Sequence, residues 1–460
     1  MIETLPERVN ANAWLVHRGR FVDTQCLIDV GETPWLMQIQ AGRITSLQRG
    51  PFVMPRWAFA LRASSETWSA FWEEHPAPGF HDLMAMIKSR ALRLEGDQHP
   101  FMANLLYFKE VLAAARRGAA PDQRTSQSAS GMSQSASGTS QSASGTSQSA
   151  SGTSQSASGT SQSISDRAAH GGVEATVRRS RPPEFEPVVG GYLNLELLGA
   201  PHRLYVEQAG QGIPLLCLHT AGADTRQYRA LMNDPEILER FRVIAFDMPW
   251  HGKSSPPAGW QQSEYRLTSA DYVAMILSVC DALALDKPVV MGCSIGGRIV
   301  LNLALECPDR FRALIGLQSG AHVDPYYDLQ WLHRPDVHGG EVCAGIISGL
   351  VGPSAPEADR AETLWHYMQG GPGVFKGDLY FYKIDGDLRG RVQEIDTTRC
   401  PLYLLSGEYD YSCTPDDTRD LARRIAGANA TIMPGIGHFP MSEDPEGFLT
   451  HLRPVLEQID

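Results

Sequence analysis

The chain has 460 residues, 42% of them hydrophobic and 20% charged, with a formal net charge of −12. It is too long for one ordinary domain and has the composition of a soluble globular protein. Residues 1–120 hold 13 Lys/Arg against 12 Asp/Glu, residues 121–190 hold 5 against 5, and residues 191–460 hold 22 against 35, so an acidic second half excludes nucleic acid and an anionic membrane surface as expected partners. No apolar run approaches the roughly 18 residues of a membrane span, and the start MIETLPERVNANAWLVHRGR lacks the apolar core of a leader peptide, so the expected location is cytoplasmic. The eight cysteines form no C-x-x-C pair and read as reduced, mostly buried thiols. No His/Cys grouping has zinc spacing, and no metal is expected.

Residues 8–118 open with short apolar runs at Cys26–Val30, Trp35–Gln40, Ile44–Leu47 and Trp57–Leu61, separated by polar or glycine-containing breaks. This is the pattern of a strand meander. Ser64 then stands as the N-cap of a helical stretch, a second helix covers His81–Ala91, residues 92–97 return to strand, and Pro100–Arg117 is helical with Leu105, Leu106, Val111 and Leu112 on one side. Strands followed by helices predict a small α+β domain. That order, with the phrase LRLEGDQHPFMANLLYFKEVL, resembles the sterol-carrier-protein type-2 fold over about 110 residues. The resemblance implies a sheet with helices around an apolar tunnel and a lipid-like ligand. The alternative is a region that only packs or dimerises.

A tandem repeat follows. SQSASGM at 126–132 precedes SQSASGT at 133–139, 140–146, 147–153 and 154–160, then a decayed SQSISDR at 161–167. Alanine is the only recurrent non-polar residue, so the seven-residue period supplies no coiled-coil seam. Such a composition does not bury enough apolar surface to offset its ordering entropy. Residues 121–185 are therefore expected to be a flexible tether with an r.m.s. span on the order of 40–50 Å. The flanking parts, 1–120 and 186–460, are expected to fold independently, and 186–460 alone is expected to act on small substrates.

Beyond the tether, strands are predicted at Tyr192–Leu198, His202–Glu207, Pro214–Leu218, Val243–Asp247, Val289–Gly292, Ala313–Gln318, Leu402–Ser406 and Ala430–Met433. The central ones are continuous apolar runs, as parallel strands covered on both faces require. Helices fit between them at Tyr265–Leu285 and Pro415–Ile425, and an amphipathic C-terminal helix carries Phe448, Leu449, Leu452, Val455 and Leu456, with a kink expected at Pro454. Gly292-Cys293-Ser294-Ile295-Gly296-Gly297 follows the run VVM and precedes the helical RIVLNLALE, which is G-x-S-x-G between strand and helix. A nucleophile on such a turn faces the positive helix N-terminus. Cys293 is read as buried packing beside it.

Asp410 lies in the loop after PLYLLS and His438 in the loop after ATIM, 28 residues apart. Serine, aspartate and histidine in this order match the arrangement of a nucleophilic triad. Glu408, nearer the strand, is the competing acid. His219-Thr220-Ala221-Gly222 follows PLLCL, and Asp247-Met-Pro-Trp-His-Gly-Lys-Ser254 follows the next strand. These motifs, in this order over about 270 residues, resemble the α/β-hydrolases. The resemblance implies a doubly wound, mostly parallel sheet with a helical cap, a Ser294-His438-Asp410 triad, an oxyanion pair at the Ala221 and Ile295 amides, and no cofactor. Thr220 and Trp250 depart from the family by standing where glycine is common. His219 is expected to organise its loop, and His219 and Trp250 to border the substrate. Residues 321–396 match the family's cap insertion and hold nine aromatics in 76 residues, which favours an apolar or ring-bearing substrate.

The reaction expected is hydrolysis of an ester, lactone, thioester or ketone-adjacent C–C bond by Ser294 attack, with His438 as proton shuttle and Asp410 as its orienter. The elbow is compatible with enol-lactonases and C–C hydrolases alike. A haloperoxidase-like or lyase use of the same groups is a weaker relative. A non-catalytic ligand carrier on a hydrolase fold, or a scaffold whose tether joins two partners, are the alternatives of other classes. Oligomeric state is left open.

Overall fold

Alternating burial along short extended segments builds the first sheet: β1 (Thr24–Val30), β2 (Thr33–Gln40), β3 (Arg43–Arg49), β4 (Phe59–Ala63) and β5 (Leu92–Gly96). The computed structural model describes residues 1–118 and 184–459; the repeat at 126–167 lies outside the described residues. The strand order is β3-β2-β1-β4-β5, antiparallel except for the central β1–β4 pair. The Ser64 side chain caps the helix Ser65–Phe71 by accepting the Thr67 amide, as its sequence position predicts. Two helices, Leu5–Ala11 and Ala13–Arg18, precede the sheet and are additional to the sequence reading. The helix predicted at Pro100–Arg117 is broken into His99–Met102 and Leu105–Ala113. The one predicted at His81–Ala91 is shorter, Leu83–Lys88.

The second sheet contains β6 (Val189–Leu197), β7 (Ala200–Ala209), β8 (Ile213–Leu218), β9 (Phe241–Phe246), β10 (Val289–Cys293), β11 (Ala313–Leu317), β12 (Leu402–Gly407) and β13 (Asn429–Met433). All eight coincide with predicted strands. Their order is β13-β12-β11-β10-β8-β9-β7-β6, parallel from β13 to β9 and antiparallel at the β9–β7 and β7–β6 edge. Every residue of β10 and β11 is buried, which explains why these strands read as unbroken apolar runs. Thr414 and Asp417 form the capping box of the helix Pro415–Arg424. The C-terminal helix runs Pro445–Leu456 with Pro454 inside it. Between β11 and β12 the chain inserts the helices Gly339–Ile347, Glu357–Met368 and Val374–Tyr380, followed by a π-helical turn at Phe381–Asp385. Among the described residues no helix is long and apolar enough to cross a membrane.

The expectation of two independent bodies is corrected here. Among the described residues, 1–118 and 187–459 form one compact unit. The helix Leu105–Ala113 packs on the cap helix Gly339–Ile347, close enough that a Cβ at Gly345 would lie 3.0 Å from Leu105 Cβ. Lys109, buried in that seam, forms a 2.8 Å ion pair with Asp82 and also donates to Gly345 O. His81 Nε2 donates to Gly349 O at 2.9 Å. Lys88 Nζ donates to the carbonyls of Tyr411 and Ser412, immediately after Asp410. A long tether permits separation, but it does not oppose association where two surfaces are complementary in shape and charge.

Candidate active site

Ser294 stands at the junction of β10 and the helix Ile295–Glu306, with φ 61° and ψ −110°. A serine in left-handed space is strained and is found where surrounding packing over-determines it. The glycines around it are required by close approach. A Cβ at Gly292 would overlap the backbone of Gly296, and one at Gly296 would come within 2.8 Å of Leu218 O. The turn is pinned by Ser294 N donating to Leu317 O at 3.0 Å, and the first helical amides after Ser294, that of Ile295 included, point their free N–H dipoles at this end of the helix.

His438 and Asp410 meet on the far side. Asp410 Oδ2 accepts from His438 Nδ1 at 2.7 Å, and Asp410 Oδ1 accepts the Ser412 and Cys413 amides at 2.7 and 3.1 Å. The carboxylate is thus held by two backbone amides besides the histidine, and the imidazole is fixed with Nε2 free of the carboxylate. The competing acid Glu408 is directed elsewhere, accepting the Gly435 amide at 2.9 Å. Ser294 and His438 line one cavity, together with Ala221, and all three triad candidates are buried. Among the described residues no hydrogen bond joins Ser294 Oγ to His438; such contacts often tighten only when substrate is bound.

The loop after β8 that carries Ala221 is organised by groups that no local pattern announces. Thr220 N and Oγ1 both contact Gln227 Oε1, at 3.0 and 3.1 Å, and the Thr220 hydroxyl also meets Tyr367 of the cap. Gly222 N donates to Asp378 Oδ2 at 2.7 Å. Ala221 lies between these two anchored amides. Asp378, a fully buried cap residue, also binds His251 Nε2 and Tyr265 OH at 2.8 Å each. Burial alone would lower the His251 pKa, but the Asp378 charge and hydrogen bond outweigh it and raise it. His219, 4.7 Å from the His251 ring, is lowered to about 4 by burial and then by the His251 charge. It stays neutral, accepts the Met248 amide on Nε2 and donates Nδ1–H to Thr220 O.

These bonds hold His219 within its loop, and it is not among the residues lining the Ser294 cavity. Trp250 is likewise outside them. Its φ of 77° explains why glycine suits that position, and its ring is held by Trp260 and Tyr265 at 5.9 and 5.4 Å. Cys293 Sγ contacts His438 O at 3.1 Å, and burial pushes its thiol pKa up, consistent with packing. Two buried residues unsuspected from sequence brace the histidine loop. Gln318 Nε2 donates to Gly437 O while its Oε1 accepts Ser406 and Gly407. Glu443 accepts the amides of Gly352, Gly437 and Phe439, and burial raises its carboxyl to about 7. Glu443 closes the four-residue helix Pro440–Glu443, five residues after His438.

Residues 213–336 match the family model for the alpha/beta hydrolase fold. The pimeloyl-[acyl-carrier protein] methyl ester esterase of Nitrosospira multiformis is 23% identical over 273 residues, covering 54% of this chain and 96% of that protein. The 2-hydroxymuconate semialdehyde hydrolase of Pseudomonas sp. (strain CF600) is 31% identical over 159 residues, 33% of this chain. The chain spans 52% of that relative's length. Among solved structures, the enol-lactonase from Burkholderia xenovorans LB400 superposes with a TM-score of 0.51 at 18% identity, covering 58% of this chain and all of that one. A thermophilic esterase from Thermogutta terrifontis gives 0.50 at 20%, covering 58% and 99%. The region carrying the second sheet has the α/β-hydrolase fold, and the superfamily is supported for it.

Proposed function

We propose that this protein is a serine hydrolase of a small, largely apolar substrate, with Ser294 as nucleophile, His438 as general base and acid, and Asp410 as the group that orients His438. The observation that carries the reading is the strained Ser294 turn sharing one cavity with a His438 whose Nδ1 is bound 2.7 Å from Asp410. Ser294 Oγ attacks the acyl carbon and gives its proton to His438 Nε2. The tetrahedral oxyanion is held by the Ala221 and Ile295 amides. His438 then protonates the leaving group, and a water activated by the same imidazole releases the acyl group from Ser294. Ester, lactone, thioester and ketone-adjacent C–C substrates all fit this sequence. That the relatives named above are esterases and hydrolases supports hydrolysis as the reaction class.

The cavity at Ser294 has about 20 Å³, room for about one water. Its cap walls are Tyr326, Ile346, Tyr367, Phe375 and Tyr382. A second cavity of about 730 Å³ shares Tyr367 and Phe375 with it. We read the pair as catalytic chamber and entrance, so that substrate entry requires these two aromatic side chains to move. The first region has an interior filled by Phe59, Trp68, Phe71, Phe101 and Phe108, each at most 1% exposed. This packing favours a support for the cap and the Asp410 loop over the carriage of a lipid.

The test is labelling by a fluorophosphonate probe with mapping of the modified residue. Ser294 is expected to be modified, and Ser294→Ala to abolish labelling and lower turnover of p-nitrophenyl esters by on the order of 10⁵-fold with the melting temperature preserved. Retained hydrolysis in that variant would remove Ser294 from the mechanism.

A further inference from the structure

Lys383 lies on the π-helical turn Phe381–Asp385, a helix distortion that recurs at functional sites. It is 4% exposed and lines the same cavity as Ser294 and His438. Its Nζ has no hydrogen-bond acceptor among the described residues. The ammonium instead rests over the rings of Tyr326 and Tyr327, 4.8 and 5.6 Å from their centroids. The Tyr382 hydroxyl, on the adjacent residue and the same cavity wall, is also buried without a partner.

The surroundings are cationic. Lys88 Nζ is 5.8 Å from the same Tyr326 ring, and Arg298 is stacked 5.1 Å from Tyr382. Neither forms an ion pair among the described residues: Lys88 donates to the Tyr411 and Ser412 carbonyls and Arg298 to Gly386 O. The facing carboxylates are committed. Asp410 is bound by His438 and two amides, and Asp324, an exposed side chain, pairs with His322. Tyr rings stabilise a cation only in part. A buried ammonium with no acceptor is otherwise costly. Burial, and then the charge of Lys88, lower Lys383 to about 7.

We propose that Lys383, with the Tyr382 hydroxyl, binds an anionic carboxylate of the substrate, so that the natural substrate is a small carboxylate-bearing ester, lactone or ketone with an apolar body. This deepens the hydrolase reading and rests on the Ser294 cavity being the substrate site. The aromatic cap accommodates the body of the molecule, and the lysine fixes which end lies away from Ser294. Binding the carboxylate restores the charged ammonium, so at pH 8 complex formation takes up a proton.

The experiment is calorimetric titration of the full-length Ser294→Ala protein with 4-phenylbutyrate and with its neutral amide. The acid is expected to bind at least tenfold more tightly than the amide, with proton uptake at pH 8 read from the dependence of the enthalpy on buffer ionisation. Lys383→Met on that background is expected to bring the acid to the level of the amide and to abolish the uptake. Lys383→Arg is expected to keep the preference. Tyr382→Phe is expected to weaken the acid severalfold and the amide less, which gives a second reading should Lys383→Met fold poorly. An acid preference unchanged within twofold in a folded Lys383→Met protein would overturn the assignment, as would equal or absent binding of both probes to the parent. Labelling of Ser294 by fluorophosphonate is scored separately. Failed labelling with a retained acid preference would sink the triad and leave the anion site standing.

Discussion

The two sheets of this protein solve the same burial problem in different ways. The five-stranded sheet is antiparallel around one parallel pair and closes its core with large aromatic side chains such as Trp68, Phe71 and Phe108. The eight-stranded sheet is parallel through its centre and covered on both faces, and its loops at the C-terminal ends of β8, β10, β12 and β13 carry Ala221, Ser294, Asp410 and His438. Parallel strands place all such ends on one edge, which gathers residues far apart in sequence around one point. The antiparallel meander has no such edge. The first region's contribution is lateral, since Lys88 and Lys109 reach from its helices to the Asp410 loop and to the cap. The comparison teaches that chemistry and support are divided between the two, though one core runs through both.

Removing the first region should have the largest effect. A fragment of residues 184–460 exposes the apolar cap face that Leu105 covers and loses the Lys88 and Lys109 bonds. It is expected to be aggregated or to lack a cooperative melt by circular dichroism. A soluble fragment that melts within a few degrees of the full chain would restore the picture of two independent bodies. Within the second region, Asp410→Asn is expected to lower kcat by roughly 10⁴-fold, because an amide favours the wrong histidine tautomer. Glu408→Gln, a change at the loop residue bound to Gly435, should cost far less. The ranking is read from steady-state kinetics on one ester, and its reversal would move the acid to Glu408.

At the seam itself, Lys109→Met leaves Asp82 buried without its cation. A loss of about 3 kcal/mol is expected in denaturant unfolding, and an effect near zero would make the seam incidental. An effect of similar size is expected on pH dependence. Burial holds Glu443 near pKa 7, against 4.5 ordinarily, so the folded state binds more protons between these values. Its contribution is full below about pH 4.5 and is lost as pH rises through about 7, amounting to about 3 kcal/mol. Glu443→Gln is expected to flatten the fall in melting temperature over that window. An unchanged pH profile in the variant would remove Glu443 as the source.

How much of this was legible in the chain depended on how local each signal is. The eight strands of the second sheet were readable because parallel burial writes itself as continuous apolar runs. Ser294 was readable because strand, glycines and helix are contiguous around it. The helix breaks near Asn104 and the helices Leu5–Ala11 and Ala13–Arg18 were not, since short helices are stabilised mainly by what they pack on.

By itself, then, the sequence determined where the strands of the second sheet lie along the chain and the identity of the triad candidates, because hydrophobic period and glycine placement are properties of neighbouring residues. Only the tertiary structure decided that the two regions share a core, that His219 and Trp250 stand outside the Ser294 cavity, and that Asp378, Gln318 and Glu443 brace its loops. It also decided that Lys383, one cation in an aromatic run, ends in that cavity without an acceptor. These facts rest on contacts such as Gly222 to Asp378, across 156 residues, and Lys88 to Ser412, across 324. Whether a charged side chain meets a partner or an empty cavity wall is set by the packing of distant segments, and no period within either segment encodes it.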